Sequence, residues 1–101
     1  MILVTIKMNV LPEKNKELSQ TLASLVRSIE ADPGCRGCDF YRRVEDENAF
    51  ALLEQWDSDE SFKGHLSSEH YRVIRGTVNL LRSPHEINVH AGLYPGRLGR
   101  F

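Results

Sequence analysis

The sequence predicts an α+β domain with the element order β-α-β-β-α-β, and three observations carry that prediction. Apolar residues alternate along residues 2–10. Leucines recur at helical spacing between Leu18 and Ile29. A short polar link, Glu45-Asp-Glu-Asn48, separates two stretches of strand character. Together they describe a split βαβ, or ferredoxin-like, arrangement, with a four-stranded antiparallel sheet and both helices on one face.

Each element has a local physical cause. Ile2, Val4, Ile6, Met8 and Val10 fall on one side of the first strand, and Leu3, Thr5, Lys7 and Asn9 on the other. That alternation, with β-branched enrichment, is a strand signal. Pro12 stands where a helix can begin, with Glu13 behind it. Leu18, Leu22, Leu25 and Ile29 then form a single apolar stripe. Asp32-Pro33-Gly34 stops this helix, because proline disfavours helical geometry in the residue before it. Cys35 to Glu45 reads as the second strand and Ala49 to Trp56 as the third, paired as a hairpin. Asp57-Ser-Asp-Glu60 supplies N-cap residues and early acids for a second helix, with a break near Ser67-Ser68 and an end near Leu81. Its inward stripe is Tyr71, Ile74, Val78 and Leu81. Pro84 closes it, and His85 to Ala91 reads as the last strand.

The chain of 101 residues is read as one domain over residues 1–91, followed by a tail, 92–101, without periodicity, flexible or covering a partner. A domain of this size buries only roughly two-thirds of the surface its unfolded form exposes. The uncovered face of the sheet carries Leu3, Thr5 and Asn9, too apolar for open solvent and too polar for a core. A homodimer burying that open sheet face is therefore expected.

Bulk properties exclude several classes. The net charge of −1, without a concentrated basic face, argues against nucleic acid. No stretch approaches the ~20 apolar residues of a membrane span, and the apolar start lacks the basic flank of a signal peptide. The cytoplasm is the expected compartment. Cys35-Arg-Gly-Cys38 lies within strand character, where residues three apart point to opposite faces, so two reduced structural thiols are expected. His65 and His70, and likewise His85 and His90, are five apart and share no face, so no metal site is expected. No phosphate loop or dinucleotide fingerprint is present, so no cofactor is expected.

The residues able to carry chemistry are few. Glu54 and Trp56 share a face of the third strand with Phe50 and Leu52. A carboxylate on that apolar face needs a partner or a shifted pKa. Pairing with an arginine or a helix cap is the structural alternative, as plain packing is for Trp56. His65, nine residues after Trp56, could move a proton near neutral pH or simply bind nearby backbone. Tyr71, on the inward stripe, could bind a ligand oxygen or a buried carbonyl.

Ala31-Asp-Pro-Gly-Cys35, Leu53-Glu-Gln-Trp56, Ser61-Phe62-x-x-His65 and Ser68-x-x-Tyr71 together resemble the antibiotic biosynthesis monooxygenase domain family, over residues 1 to about 91. The resemblance implies a dimeric α+β barrel. It implies O2-dependent oxidation of a small quinol-like or polyphenolic compound, without metal or flavin. It makes His65 the catalytic proton-transfer group, with Asn9, Glu54, Trp56, Phe62 and Tyr71 about the substrate. The haem-degrading branch expects a tryptophan and a histidine on the second helix; His65 and Arg75 stand there instead, which argues against haem. A non-catalytic ligand-binding or regulatory dimer, or an isomerase, are the alternatives on the same scaffold.

Overall fold

A computed structural model describes residues 1–91; the expected tail, 92–101, lies outside the described residues. Strand β1 (Ile2–Asn9) leads through a 3-10 turn (Pro12–Lys14) into α1 (Asn15–Glu30). Then come β2 (Cys35–Arg42), β3 (Ala49–Trp56), α2 (Asp59–Leu66), α3 (Glu69–Gly76), a second 3-10 turn (Thr77–Leu80) and β4 (Glu86–His90). The sheet order is β2-β3-β1-β4, antiparallel at every contact. This is the expected ferredoxin-like α+β fold, its second helix divided in two.

The core lies between the sheet and the helices. Val4, Ile6, Met8, Leu52, Phe50 and Trp56 meet Leu18, Leu22, Leu25, Ile29 and Ile74 there, and all are buried. The α1 stripe is buried as its spacing requires. On the opposite sheet face, Leu3, Thr5, Ala51, Leu53 and Gln55 are half-covered, while Lys7, Asn9 and Tyr41 are exposed.

Several boundaries shift for identifiable reasons. β1 ends at Asn9, and Val10 instead forms an isolated bridge to Leu81. β2 ends at Arg42, short of Glu45. Val78 is 45% exposed, although the helical stripe placed it inside. After Gly76 the backbone tightens into a 3-10 turn, whose three-residue period brings Thr77, three after Ile74, to the buried position. Thr77 satisfies itself there by donating to Ile74 O at 2.6 Å. Its oxygen also lies 2.9 Å from His85 Nε2, so that nitrogen carries the proton of this contact. Burial pushes the His85 pKa down.

The cysteine expectation is overturned in its geometry. A β-bulge between Cys35 and Gly37 shifts the register, so that Cys35 lies opposite Trp56 and Cys38 opposite Glu54. The extra residue brings both thiols to the helix-facing side. Both are free. Burial raises both thiol pKa values, and the Glu54 charge adds to the effect. They therefore stay protonated and unreactive.

Candidate functional site

The site forms where the C-terminal end of β3 meets α2. Glu54 and Trp56, alternate residues of β3, point under the helices and are both 0% exposed. Ser58 caps α2, accepting a hydrogen bond from Ser61 N at 3.1 Å. The helix then carries His65, itself buried, back over the indole. The imidazole stacks on Trp56 with ring centroids 4.6 Å apart and an interplanar angle of 30°. Tyr71, from α3, meets its edge at 5.6 Å, and Arg75 lies over the Tyr71 ring.

The polar contacts within this layer are incomplete. Trp56 Nε1 donates to Glu54 Oε1 at 3.1 Å. His65 Nε2 lies 3.3 Å from the same oxygen, without the geometry of a hydrogen bond. Glu54 Oε2 and His65 Nε2 are the buried side-chain atoms without a hydrogen-bond partner among the described residues. Native interiors leave few such groups, and each calls for an explanation. Nε2 and the carboxylate are thus close but misaligned, which leaves the Nε2 lone pair free to take a proton.

His65 is held from its other side by the joint between α2 and α3. Ser68 Oγ donates to His65 O at 2.6 Å and accepts from Tyr71 N at 3.2 Å, capping α3. It also lies 3.5 Å from His65 Nδ1. Since the hydroxyl proton is already given to the carbonyl, the Nδ1–Ser68 contact needs its hydrogen on Nδ1. Asp32 Oδ2 stands 3.7 Å from that same nitrogen and 2.9 Å from His70 Nδ1.

A cavity of about 420 Å³ opens beside this layer, lined by Asp32, Pro33, Trp56, Glu60, Ser61, Gly64, His65 and Ser68. Its volume falls within the range of small-molecule sites. Phe62 packs against the core from α2. Of the six residues read from the sequence as candidates, the fold brings together Glu54, Trp56, His65 and Tyr71, with Phe62 on the same helix layer. Asn9 stands apart. It pairs with Ala49 at the far end of β3 from Trp56, roughly 20 Å along the strand, on the exposed sheet face. There it borders a separate cavity of about 590 Å³, with Lys7, Arg43, Phe50 and Glu86 among its walls.

Asp32, Ser68 and His70 belong to the network, yet the sequence marks none of them as a site residue. Asp32 reads there as part of a helix stop and of the Ala31-Asp-Pro-Gly-Cys35 stretch. His70 is set aside by its five-residue distance from His65, a rule that presumes one unbroken helix; the break at Ser67–Ser68 removes that premise. The signal available was Ser67-Ser68 itself, a second N-cap that redirects the chain. Among the described residues no three His, Cys, Asp or Glu side chains are arranged to hold a metal ion, and no helix is long and apolar enough to cross a membrane.

Comparison with known proteins agrees with this architecture. The family model described as antibiotic biosynthesis monooxygenase matches residues 1–76. A Bacillus subtilis protein named "Putative monooxygenase YcnE" is 32% identical over 89 residues, covering 86% of this chain and 93% of its own. Among solved structures, Rv0793 from Mycobacterium tuberculosis superposes with a TM-score of 0.86 at 26% identity, over 95% of this chain and 98% of its own. A conserved protein from Methanosarcina mazei superposes with a TM-score of 0.82 at 29% identity, over 88% and 89% respectively. With the fold, the β3–α2 motif and the family model in agreement, the chain belongs to the antibiotic biosynthesis monooxygenase family.

Proposed function

We propose that this protein is a cofactor-independent monooxygenase of a small, electron-rich phenol such as a hydroquinone or an anthrone. The supporting observation is the buried Glu54–His65 pair, with one unpartnered atom on each member, stacked against Trp56 at the wall of a cavity. The pair acts as a unit, with His65 as the proton-transfer group and Glu54 balancing its charge. The flat indole orders an aromatic substrate, Tyr71 and Phe62 complete the apolar surround, and exclusion of water strengthens each charge interaction inside.

The chemistry closes without an added reductant. The pair takes the proton of the phenol tautomer, and the resulting anion passes one electron to O2. Substrate radical and superoxide combine into a carbon–oxygen bond, giving a peroxide. Loss of the remaining hydrogen on that carbon, with cleavage of the O–O bond, leaves a carbonyl. The departing hydroxide recovers the stored proton as water. An anthrone-type methylene and one O2 thus become a carbonyl and one H2O. The His65 side chain is covered, so admitting a substrate to it requires α2 to move.

The same reading includes a homodimer through the half-covered sheet face and a cytoplasmic location. Asn9, on that face, would meet substrate only if the partner or a rearrangement brought it there. One observation favours a second reading. Glu54, Trp56 and His65 already contact one another in a closed layer, as in a purely structural network of a non-catalytic ligand-binding dimer. Oxygen uptake by metal-stripped protein against a panel of anthrones and hydroquinones separates the two. Uptake that falls by about 10²-fold or more in His65→Ala supports the oxygenase. Binding of the same compounds with no oxygen consumed would support the binding dimer, and turnover to an isomer without oxygen would support isomerase chemistry.

A further inference from the structure

The Glu54–His65 pair is sealed. Its side chains are 1% and 0% exposed, so a proton placed on it has no direct route to water. On the other side of the imidazole stand Asp32, with a side chain 21% exposed, and His70, at 32%. Both imidazoles address one oxygen: His65 Nδ1 lies 3.7 Å from Asp32 Oδ2 and His70 Nδ1 lies 2.9 Å from it. We infer that Asp32 and His70 form the proton connection between the buried pair and solvent, with His70 as its outer end.

The placement of these residues is built, rather than incidental to a surface. Asp32 is delivered by the turn after α1, which Gly34 makes possible with a φ of +81°. That turn is tied to the start of α2, where Asp57 N donates to Gly34 O at 2.9 Å. A side chain on Gly34 would run into Ser61 and Asp57, so the turn and α2 are seated directly on each other. His70 comes from the opposite side of the helix joint, on the first turn of α3. Two separate local devices therefore converge on one carboxylate oxygen.

The route balances proton by proton. His65 Nδ1 gives its hydrogen to Asp32 Oδ2, and Asp32 passes that proton to His70 Nδ1 when His70 is in the tautomer that carries its hydrogen on Nε2. The His70 imidazolium so formed releases its Nε2 proton to water, and exchange of the remaining hydrogen from Nδ1 to Nε2 through solvent resets the ring; the inward direction is the reverse. The 3.7 Å step is longer than a hydrogen bond, as catalytic contacts often are before a ligand tightens them. The charged and titratable groups around His65 are Glu54 on β3, Asp32 in the α1–β2 turn, Glu60 on its own helix beside the cavity, and Tyr71 and His70 on α3. Of these, Asp32 is the one in reach of both Nδ1 atoms.

Asp32 and His70 are positioning residues, and their role at a catalytic site rests on the proposed oxygenase reading, whereas the connection itself can be measured without substrate. The experiment is NMR observation of the imidazole protons of His65 in the ligand-free protein. It compares exchange with water in the native chain, Asp32→Asn, His70→Gln and His70→Ala, with the β3 backbone amides as a control for folding. The expected result is slowing of His65 proton exchange by roughly tenfold or more in all three variants. Added imidazole should restore it in His70→Ala alone, with β3 amide protection unchanged. Unchanged His65 exchange in the folded His70 variants would overturn the connection. Oxygen uptake measured on the same variants keeps the two ideas apart: a protein that oxidises no substrate yet shows the exchange pattern loses the oxygenase reading and keeps the connection.

Discussion

Glu54 and His65 concentrate the uncommon physics of this molecule in two side chains. A carboxylate with no exposed surface has Trp56 donating to it and an imidazole 3.3 Å away as its polar neighbours. Removing one partner of such a pair leaves the other buried and uncompensated, a cost of about 3–5 kcal/mol. Glu54→Leu should lose stability of that order, while Glu54→Gln, which can still accept from Trp56, should lose less. Urea unfolding followed by tryptophan fluorescence checks this cleanly, since Trp56 is the sole indole. Equal losses in the two variants would mean that the carboxylate charge carries the stability and the Trp56 bond little. His85 gives a second residue-scale expectation. Burial lowers its folded pKa below the ordinary 6.5, so it is retained neutral. The unfolded chain takes up a proton at a higher pH than the fold does, so stability is full above about pH 6.5 and falls as pH drops through and below it. His85→Gln should flatten that acid-side loss in unfolding midpoints measured between pH 8 and pH 5.

The elements that place these residues depend on a few caps and one turn. Ser58 satisfies an otherwise unpartnered amide at the start of α2, and Ser58→Ala should cost about 1 kcal/mol. Gly34 is under a stronger constraint, because its left-handed backbone and the closeness of Ser61 both exclude a side chain. Gly34→Ala should cost ~2 kcal/mol or more. It should also pull Asp32 from His70, seen as loss of their hydrogen-bond signature in imidazole NMR; a stable variant with that signature intact would show the turn to be tolerant. The α1 stripe and the β3 alternation repeat at the periods of helix and strand, so Leu18 to Ile29 and Phe50 to Trp56 declared themselves. Thr77 displacing Val78, and Cys35 joining Cys38 on one face, did not. Each follows from a local change of period, a 3-10 turn or a bulge, that residue spacing alone leaves invisible.

At the scale of the whole molecule, four exposed or half-covered rows of the sheet face remain to be accounted for. Leu53 lies at their middle, between Thr5 and Asp39 in register. If a second copy covers this face, Leu53→Lys should shift the protein from dimer to monomer in sedimentation equilibrium, with the helix-side core unaffected. A native chain that is already monomeric at micromolar concentration would sink the dimer. Oligomeric state and oxygenation are thus testable separately, one on each side of the same sheet.

The order of elements, the buried stripes, the α2 cap and the grouping of Glu54, Trp56 and His65 all follow from local pattern. Periodicity and capping act over a few residues and are written in adjacent positions. The distance of Asn9 from that group, the entry of Asp32 and His70, and the common face of the two thiols were decided only by tertiary structure. Those facts depend on sheet register, on one bulge and on how two helices turn against each other. Each is set by packing between segments that lie far apart in the chain.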